Sequence, residues 1–138
     1  MSSVDEVRIL RKRAEAFYNK ASECLTAEEY DLASFLSEQA VQLHLKSILL
    51  EELGDYPRTH SITYITSILK KLPKYKDLTK FLEENKLAVR LMEDSYISSR
   101  YLIREFTREE AEILVNIAKE VLKHGKIRRR SNRESKDD

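Results

Sequence analysis

Residues 26–54 have the sequence TAEEYDLASFLSEQAVQLHLKSILLEELG, and this stretch decides the fold. Its first four residues, 26–29, have the pattern of a capping box, which predicts a helix that begins here and continues to about Leu53. Gly54 then supplies the left-handed residue that commonly ends a helix. The helix is apolar on more than one face, which is typical of a central helix or of one shared with a second subunit. Its apolar residues are Ala33, Leu36, Ala40, Val41, Leu43, Leu45, Ile48, Leu49 and Leu50.

Apolar residues recur at three- and four-residue steps on both sides of this stretch, and they predict four more helices. Asn85 is a candidate break in the third of them, and a second capping box at 107–110 begins the last. Residues 93–106 have a mixed helix and loop pattern, and Gly125 ends the last helix. The four predicted helices cover about residues 4–25, 59 or 61 to 72, 76–92 and 108–124.

Composition supports this interpretation. The 138 residues include only 2 Gly and 2 Pro, too few for the closely spaced turns of a β-sandwich or for a glycine-rich phosphate loop. We therefore predict an all-α protein, an up-and-down bundle of four long helices plus a short extra helix or loop. Residues 1–125 form this domain, and we expect the basic tail, 126–138, to be disordered.

Charge and hydropathy exclude several classes of protein. The formal net charge is +1, so a strongly basic nucleic-acid binder is not indicated, although the tail carries six basic and three acidic residues. No segment approaches the ~20 apolar residues that a membrane-spanning helix needs. The N-terminal residues lack the apolar region of a signal peptide. The single Cys24 cannot form an internal disulfide, which favours a cytoplasmic location.

Most of the side chains suited to chemistry have a structural explanation. The three histidines, His44, His60 and His124, do not have the spacing of a metal site, so we expect no metal and no cofactor. Cys24 is expected to be a small buried core residue. We interpret His44 as a hydrogen-bonded, partly buried imidazole and His124 as a helix-end residue.

His60 is the histidine with a second interpretation. It follows a loop that contains Arg58, and it stands at the start of a predicted helix, where unpaired N–H groups favour anions. An exposed imidazole here is suited to binding phosphate. Alternatively, His60 only caps or packs against the helix start.

The second candidate cluster is YISSRY, residues 96–101. Tyr96 and Arg100 are four residues apart, so they share one face if this segment is helical. An arginine fork binds phosphate while an aromatic ring stacks on a base. The alternative is an arginine stacked on a tyrosine inside the bundle, without a ligand. The basic run at 126–130 has the same two interpretations, a phosphate contact or a solvated tail.

Two separated parts of the chain resemble the HEPN domain. The first is EQAVQLHLK at 38–46, followed by LL at 49–50, Gly54 and THSI at 59–62; the second is DSY at 94–96, before RY at 100–101. The likeness covers about residues 4–125. It implies an all-α bundle that commonly forms homodimers, in a prokaryotic cytoplasmic protein often encoded beside a minimal nucleotidyltransferase.

The resemblance also implies a function. HEPN domains are associated with nucleotide binding, and many members are metal-independent RNases that use an Arg, four to six residues, then His motif. Here no Arg lies five to seven positions before any of the three histidines, so the RNase motif is not carried over. The residues that are carried over as nucleotide or RNA-phosphate candidates are His60, Tyr96, Arg100 and Tyr101, with Arg58 beside them.

Three functions follow as hypotheses. The first is a dimeric nucleotide- or RNA-phosphate-binding module that acts with a minimal nucleotidyltransferase in a toxin–antitoxin or defence-type system. The second is a metal-independent RNase with a non-standard site, His60 with Arg58 or Arg100. The third is a structural or antitoxin-like subunit, in which these side chains only connect helices.

Overall fold

The structure is a computed structural model that describes residues 3–98 and 104–125. Within these ranges the chain forms helices and no strands, and the predicted all-α bundle is confirmed. A 3-10 turn, Pro73–Tyr75, joins the third helix to the fourth. The six helices are α1 (Ser3–Thr26), α2 (Tyr30–Leu53), α3 (Ile62–Leu69), α4 (Lys76–Glu84), α5 (Lys86–Ser98) and α6 (Arg108–Lys123).

Some predicted features lie outside the described residues. They are the tail at 126–138 and the two candidate residues Arg100 and Tyr101. The division of the chain into a domain and a tail therefore stays a prediction. No helix in the described ranges has both the length and the apolar character needed to cross a membrane.

The second helix, α2, occupies the centre of the bundle, as predicted. It packs against α1, α6, α5 and α3. Its apolar residues are buried on several faces, since Val41, Leu45 and Leu49 are as inaccessible as Ala40 and Ile48. This burial explains why the helix lacks the single apolar stripe of a surface helix.

Polar side chains within α2 are bonded inside the core. The hydroxyls of Ser34 and Ser37 donate to backbone carbonyls one turn earlier, both at 2.8 Å, and Ser47 donates at 2.6 Å. His44 is buried, and its Nε2 is hydrogen-bonded to the carbonyl oxygen of His124 at 2.9 Å, which ties α2 to the end of α6. The predicted roles of both histidines agree with this contact. Cys24 is buried in the core, also as predicted.

The predicted capping box at residues 26–29 is wrong. Thr26 belongs to the last turn of α1, where its hydroxyl donates to the carbonyl of Ser22 at 3.3 Å. The N-cap of α2 is Glu29, which makes no side-chain cap bond, and Glu28 turns the chain with a φ of +63°. The cause is the apolar stripe of α1, which continues as far as the buried Cys24 and keeps this turn helical.

The short helices define one side of the bundle. Ser61 caps α3 by accepting a hydrogen bond from the Tyr64 amide at 3.0 Å, which is one of the two predicted starts. This helix ends at Leu69, three residues earlier than predicted. The predicted break at Asn85 is confirmed, because its amide donates to the carbonyl of Phe81 at 2.9 Å and separates α4 from α5.

The capping box that begins α6 is confirmed. The Thr107 hydroxyl accepts from the Glu110 amide at 3.1 Å, and the Glu110 carboxylate accepts from the Thr107 amide at 3.0 Å. At the other end of α6, Gly125 has a φ of +73°, the left-handed conformation that glycine adopts without strain.

We predict different effects from substituting the two threonines that share this motif. Thr107→Ala removes a helix cap and should lower the free energy of unfolding by about 1 kcal/mol. Thr26→Ala removes only a hydroxyl from an exposed helical turn and should change it by less than about 0.5 kcal/mol. Urea unfolding of both variants measures the difference. Equal losses would contradict the assignment of Thr26 to α1.

Candidate functional site

The candidate site contains a stacked pair of rings from two distant parts of the chain. His60 and Tyr96 have ring centroids 4.2 Å apart with an interplanar angle of 23°. The Tyr96 hydroxyl and His60 Nε2 are also hydrogen-bonded at 2.9 Å. Phe35 of α2 lies on Tyr96 with centroids 6.4 Å apart. The imidazole is exposed, Tyr96 is half-buried, and the row of rings therefore extends from α2 to the surface.

The pair is positioned by contacts between α3 and α5. His60 lies directly before Ser61, the N-cap of α3, so the start of that helix sets its position. Glu93, one turn before Tyr96 on α5, accepts from the amide and the hydroxyl of Thr63 at 3.2 and 3.3 Å. The α5 carboxylate thus pairs with the first turn of α3, where unpaired N–H groups attract negative charge. The hydrogen bonds between Glu93 and Thr63 thus keep the start of α3 beside α5, where His60 can stack on Tyr96.

Two cations approach the ring of Tyr56 in the same loop. The guanidinium carbon of Arg58 is 5.0 Å from the ring centroid, and the Lys46 ammonium is 5.8 Å from it. Within residues 3–98 and 104–125, neither cation forms an ion pair. Burial lowers the pKa of Lys46, repulsion by Arg58 lowers it further, and attraction by Glu38 acts in the opposite direction.

Glu38, two turns before Lys46 on α2, is fully buried. Its carboxylate accepts from the Gln39 side-chain amide at 2.7 Å and from that of Gln42. Burial raises the pKa of Glu38 to about 7, although the two amides and the charge of Lys46 favour its ionised form. Glu93 repels it and adds to the rise. Glu38 is therefore an acid that titrates near neutral pH.

The structure brings only part of the predicted site together. His60 and Tyr96 are in contact, and Arg58, exposed, precedes His60 by two residues. The other two candidates, Arg100 and Tyr101, lie outside the described residues. Whether these five residues bind a ligand stays a prediction.

Three residues of this region are absent from the predicted set: Glu38, Lys46 and Tyr56. A signal for two of them exists, because Glu38, Gln42 and Lys46 recur every fourth residue within a largely apolar helix. Such spacing predicts a polar stripe on one face. Tyr56 has no comparable signal, since its role depends on the shape of the loop.

No group of three or more His, Cys, Asp or Glu side chains in the described part of the chain is arranged to hold a metal ion. The polar groups near His60 are instead a phenol, two cations and a buried carboxyl. These groups suit a ligand with an aromatic ring and negative charge.

The sequence model of the HEPN domain matches residues 7–128 of this chain. The chain belongs to the HEPN domain family. A solved structure, the crystal structure of TT1696 from Thermus thermophilus, is similar to it with a TM-score of 0.64 and 26% sequence identity. The similarity covers 84% of this chain and 92% of that one. No curated protein sequence matches this HEPN chain. The resemblance found in the sequence is therefore confirmed at the level of the family.

We predict that Glu38 makes stability depend on pH. Its pKa is about 7 in the folded protein against 4.5 ordinarily, so the fold favours the protonated form. This contribution is complete below about pH 4.5, decreases as the pH rises, and is lost by about pH 7; it amounts to about 3 kcal/mol. Glu38→Gln stays neutral, so its free energy of unfolding relative to wild type should rise between pH 4.5 and 7.

Urea unfolding at several pH values measures this difference. Glu84→Gln, an exposed carboxylate on α4, is the matched control, and its difference from wild type should stay constant. A constant difference for Glu38→Gln as well would contradict the raised pKa.

Proposed function

We propose that this HEPN protein is a dimeric module that binds the phosphate and base of a nucleotide, free or within RNA. We further propose that it acts with a minimal nucleotidyltransferase in a toxin–antitoxin or defence-type system. The observation that carries the proposal is the His60–Tyr96 pair, stacked at 4.2 Å with an exposed imidazole and an exposed arginine two residues away.

Each part of the pair suits one part of a nucleotide. An exposed aromatic face stacks on any base, which contributes ~1–3 kcal/mol per base. Arg58 has no ion pair within the described ranges, so its guanidinium fork is available for a phosphate. Arg100 and Tyr101, predicted from the sequence to belong to the same site, follow Tyr96 by four and five residues.

The dimer, the partner and the location are parts of the same proposal. Homodimer formation and the nucleotidyltransferase partner are inferred from the family. A cytoplasmic location is inferred from the single, free Cys24. Light scattering on the purified protein tests the dimer, with a mass of about twice 16.2 kDa as the expected result.

We predict that nucleotide binding depends on the Tyr96 ring. In titration calorimetry with AMP and a short single-stranded RNA, Tyr96→Phe should bind nearly as well as wild type because it keeps the ring on which His60 stacks. Tyr96→Ala and His60→Ala should bind about 10- to 100-fold more weakly. Heat with AMP but not with RNA identifies a free nucleotide as the ligand. Heat with RNA but not with AMP identifies the polymer.

A second pair of variants separates phosphate binding from general electrostatics. Arg58→Gln should weaken binding about tenfold or more, since a charge-assisted hydrogen bond is lost. Arg13→Gln removes an exposed arginine from α1 and should have no effect. Absence of heat from wild type with both ligands would refute the proposed function.

A ribonuclease is the second candidate function, favoured by an imidazole in hydrogen-bond contact with a phenol and close in sequence to an arginine. It predicts RNA fragments with 2′,3′-cyclic phosphate ends, and it predicts that His60→Ala abolishes them. Equal cleavage by His60→Ala excludes this function. A purely structural role predicts instead that Tyr96→Ala lowers the melting temperature while wild type binds neither AMP nor RNA.

A further inference from the structure

Lys46 and Arg58 form a pair of like charges beside one aromatic ring. Both lie within cation–π distance of Tyr56, at 5.8 and 5.0 Å from its centroid. Neither has an ion-pair partner in the part of the chain that the structure describes. Unpaired like charges repel each other, and here one of them, Lys46, is also partly removed from water.

Two carboxylates lie near this pair, and neither forms a direct ion pair with it in the described ranges: exposed Asp55 accepts from the Tyr56 amide at 2.8 Å, and Glu38 lies in the core. Glu38 is the carboxylate that attracts Lys46, but it is fully buried and its oxygens accept from Gln39 and Gln42. It therefore acts on Lys46 from beneath, without a direct ion pair. Two cations without a direct ion pair in the described ranges can accept a bound anion as their partner.

The cluster also adjoins the stacked rings. Arg58 precedes His60 by two residues in the loop that ends at the cap of α3. Lys46 reaches the same loop from α2 through Tyr56. A ligand with its base on the exposed ring of His60 would thus have Arg58, two residues earlier in the same loop, available for its charged end.

We propose that Lys46 and Arg58, held by Tyr56, form a subsite for linked phosphate groups, so that the protein selects nucleoside di- and triphosphates over monophosphates. This inference rests on the proposed function, since the base is placed on the exposed ring of His60, which is stacked on Tyr96. Arg58 provides a planar fork for one phosphate, and Lys46 provides a point charge for the next. Two cations around one ring fit a compact, multiply charged anion.

The two side chains also begin in favourable positions. The ring of Tyr56 holds both cations before any ligand binds, which reduces the entropy lost on binding. The half-buried Lys46 lies where water screens charge less, so its attraction to phosphate is stronger than that of a surface lysine. Adding a second phosphate to the ligand should strengthen binding the most, because it places more negative charge beside Lys46 and Arg58.

The test compares AMP, ADP, ATP and inorganic pyrophosphate by titration calorimetry at one salt concentration. Wild type should bind ADP and ATP about tenfold or more tightly than AMP, and it should bind pyrophosphate. Lys46→Gln should weaken ADP, ATP and pyrophosphate about 10- to 100-fold while leaving AMP nearly unchanged. Lys46→Arg should restore much of the difference.

The matched control is Lys12→Gln, which removes an exposed lysine from α1 and should bind all four ligands as wild type does. Circular dichroism checks that the Lys46 variants fold. If they do not, Arg58→Gln provides the test, because this exposed side chain can be replaced without disturbing the core. It should abolish pyrophosphate binding.

The outcomes separate this inference from the function on which it rests. Equal affinity for AMP, ADP and ATP, with Lys46→Gln like wild type, overturns the subsite and leaves the proposed function standing. Pyrophosphate binding that depends on Lys46, without binding of any nucleotide or of the single-stranded RNA, supports the phosphate subsite and refutes the nucleotide function. Absence of binding by all four ligands refutes the subsite, and absence of binding to the single-stranded RNA as well refutes the proposed function.

Discussion

The burial of α2 along most of its length is the constraint on which the rest of this structure depends. A helix surrounded by α1, α3, α5 and α6 has few positions where a polar side chain can reach water. Each polar residue enclosed within it must therefore find a partner in the core, because an unsatisfied buried group costs about 1–3 kcal/mol. Two serines bond to the preceding turn, and His44 bonds to the end of α6. The helix thereby fixes the positions of its neighbours as well as filling the core.

The same constraint produces the candidate site. Glu38, Gln42 and Lys46 share one face of α2, and that face is directed toward the loop before α3 and toward α5. At its inner end the carboxyl is enclosed and is held by amide donors. At its outer end Lys46 reaches Tyr56 and meets Arg58. A polar stripe that is costly inside the bundle thus ends at the two cations beside Tyr56, in the loop that leads to the exposed imidazole of His60.

Membership of the HEPN family agrees with the fold but does not by itself identify the residues that would act on a ligand. The arginine-to-histidine spacing associated with the family's RNases is missing from this sequence. The groups that support a ligand here are the stacked rings of His60 and Tyr96 and the two cations Lys46 and Arg58, which have no ion pairs in the described ranges. They are the basis of the proposed ligand, which combines an aromatic base with several negative charges.

The sequence by itself determined the helical class, the central helix, the break at Asn85 and the cap of α6, because these depend on local spacing and local hydrogen bonds. The same capping pattern gave a wrong prediction at Thr26, because the apolar stripe of α1 continues to Cys24 and the last turn of that helix includes Thr26. His60 and Tyr96 are separated by 36 positions, so their contact exists only after α3 and α5 pack together. The pairing of Lys46 with Arg58 is likewise a result of tertiary structure. Local propensity cannot encode it, since it requires a loop and a helix to meet at one ring.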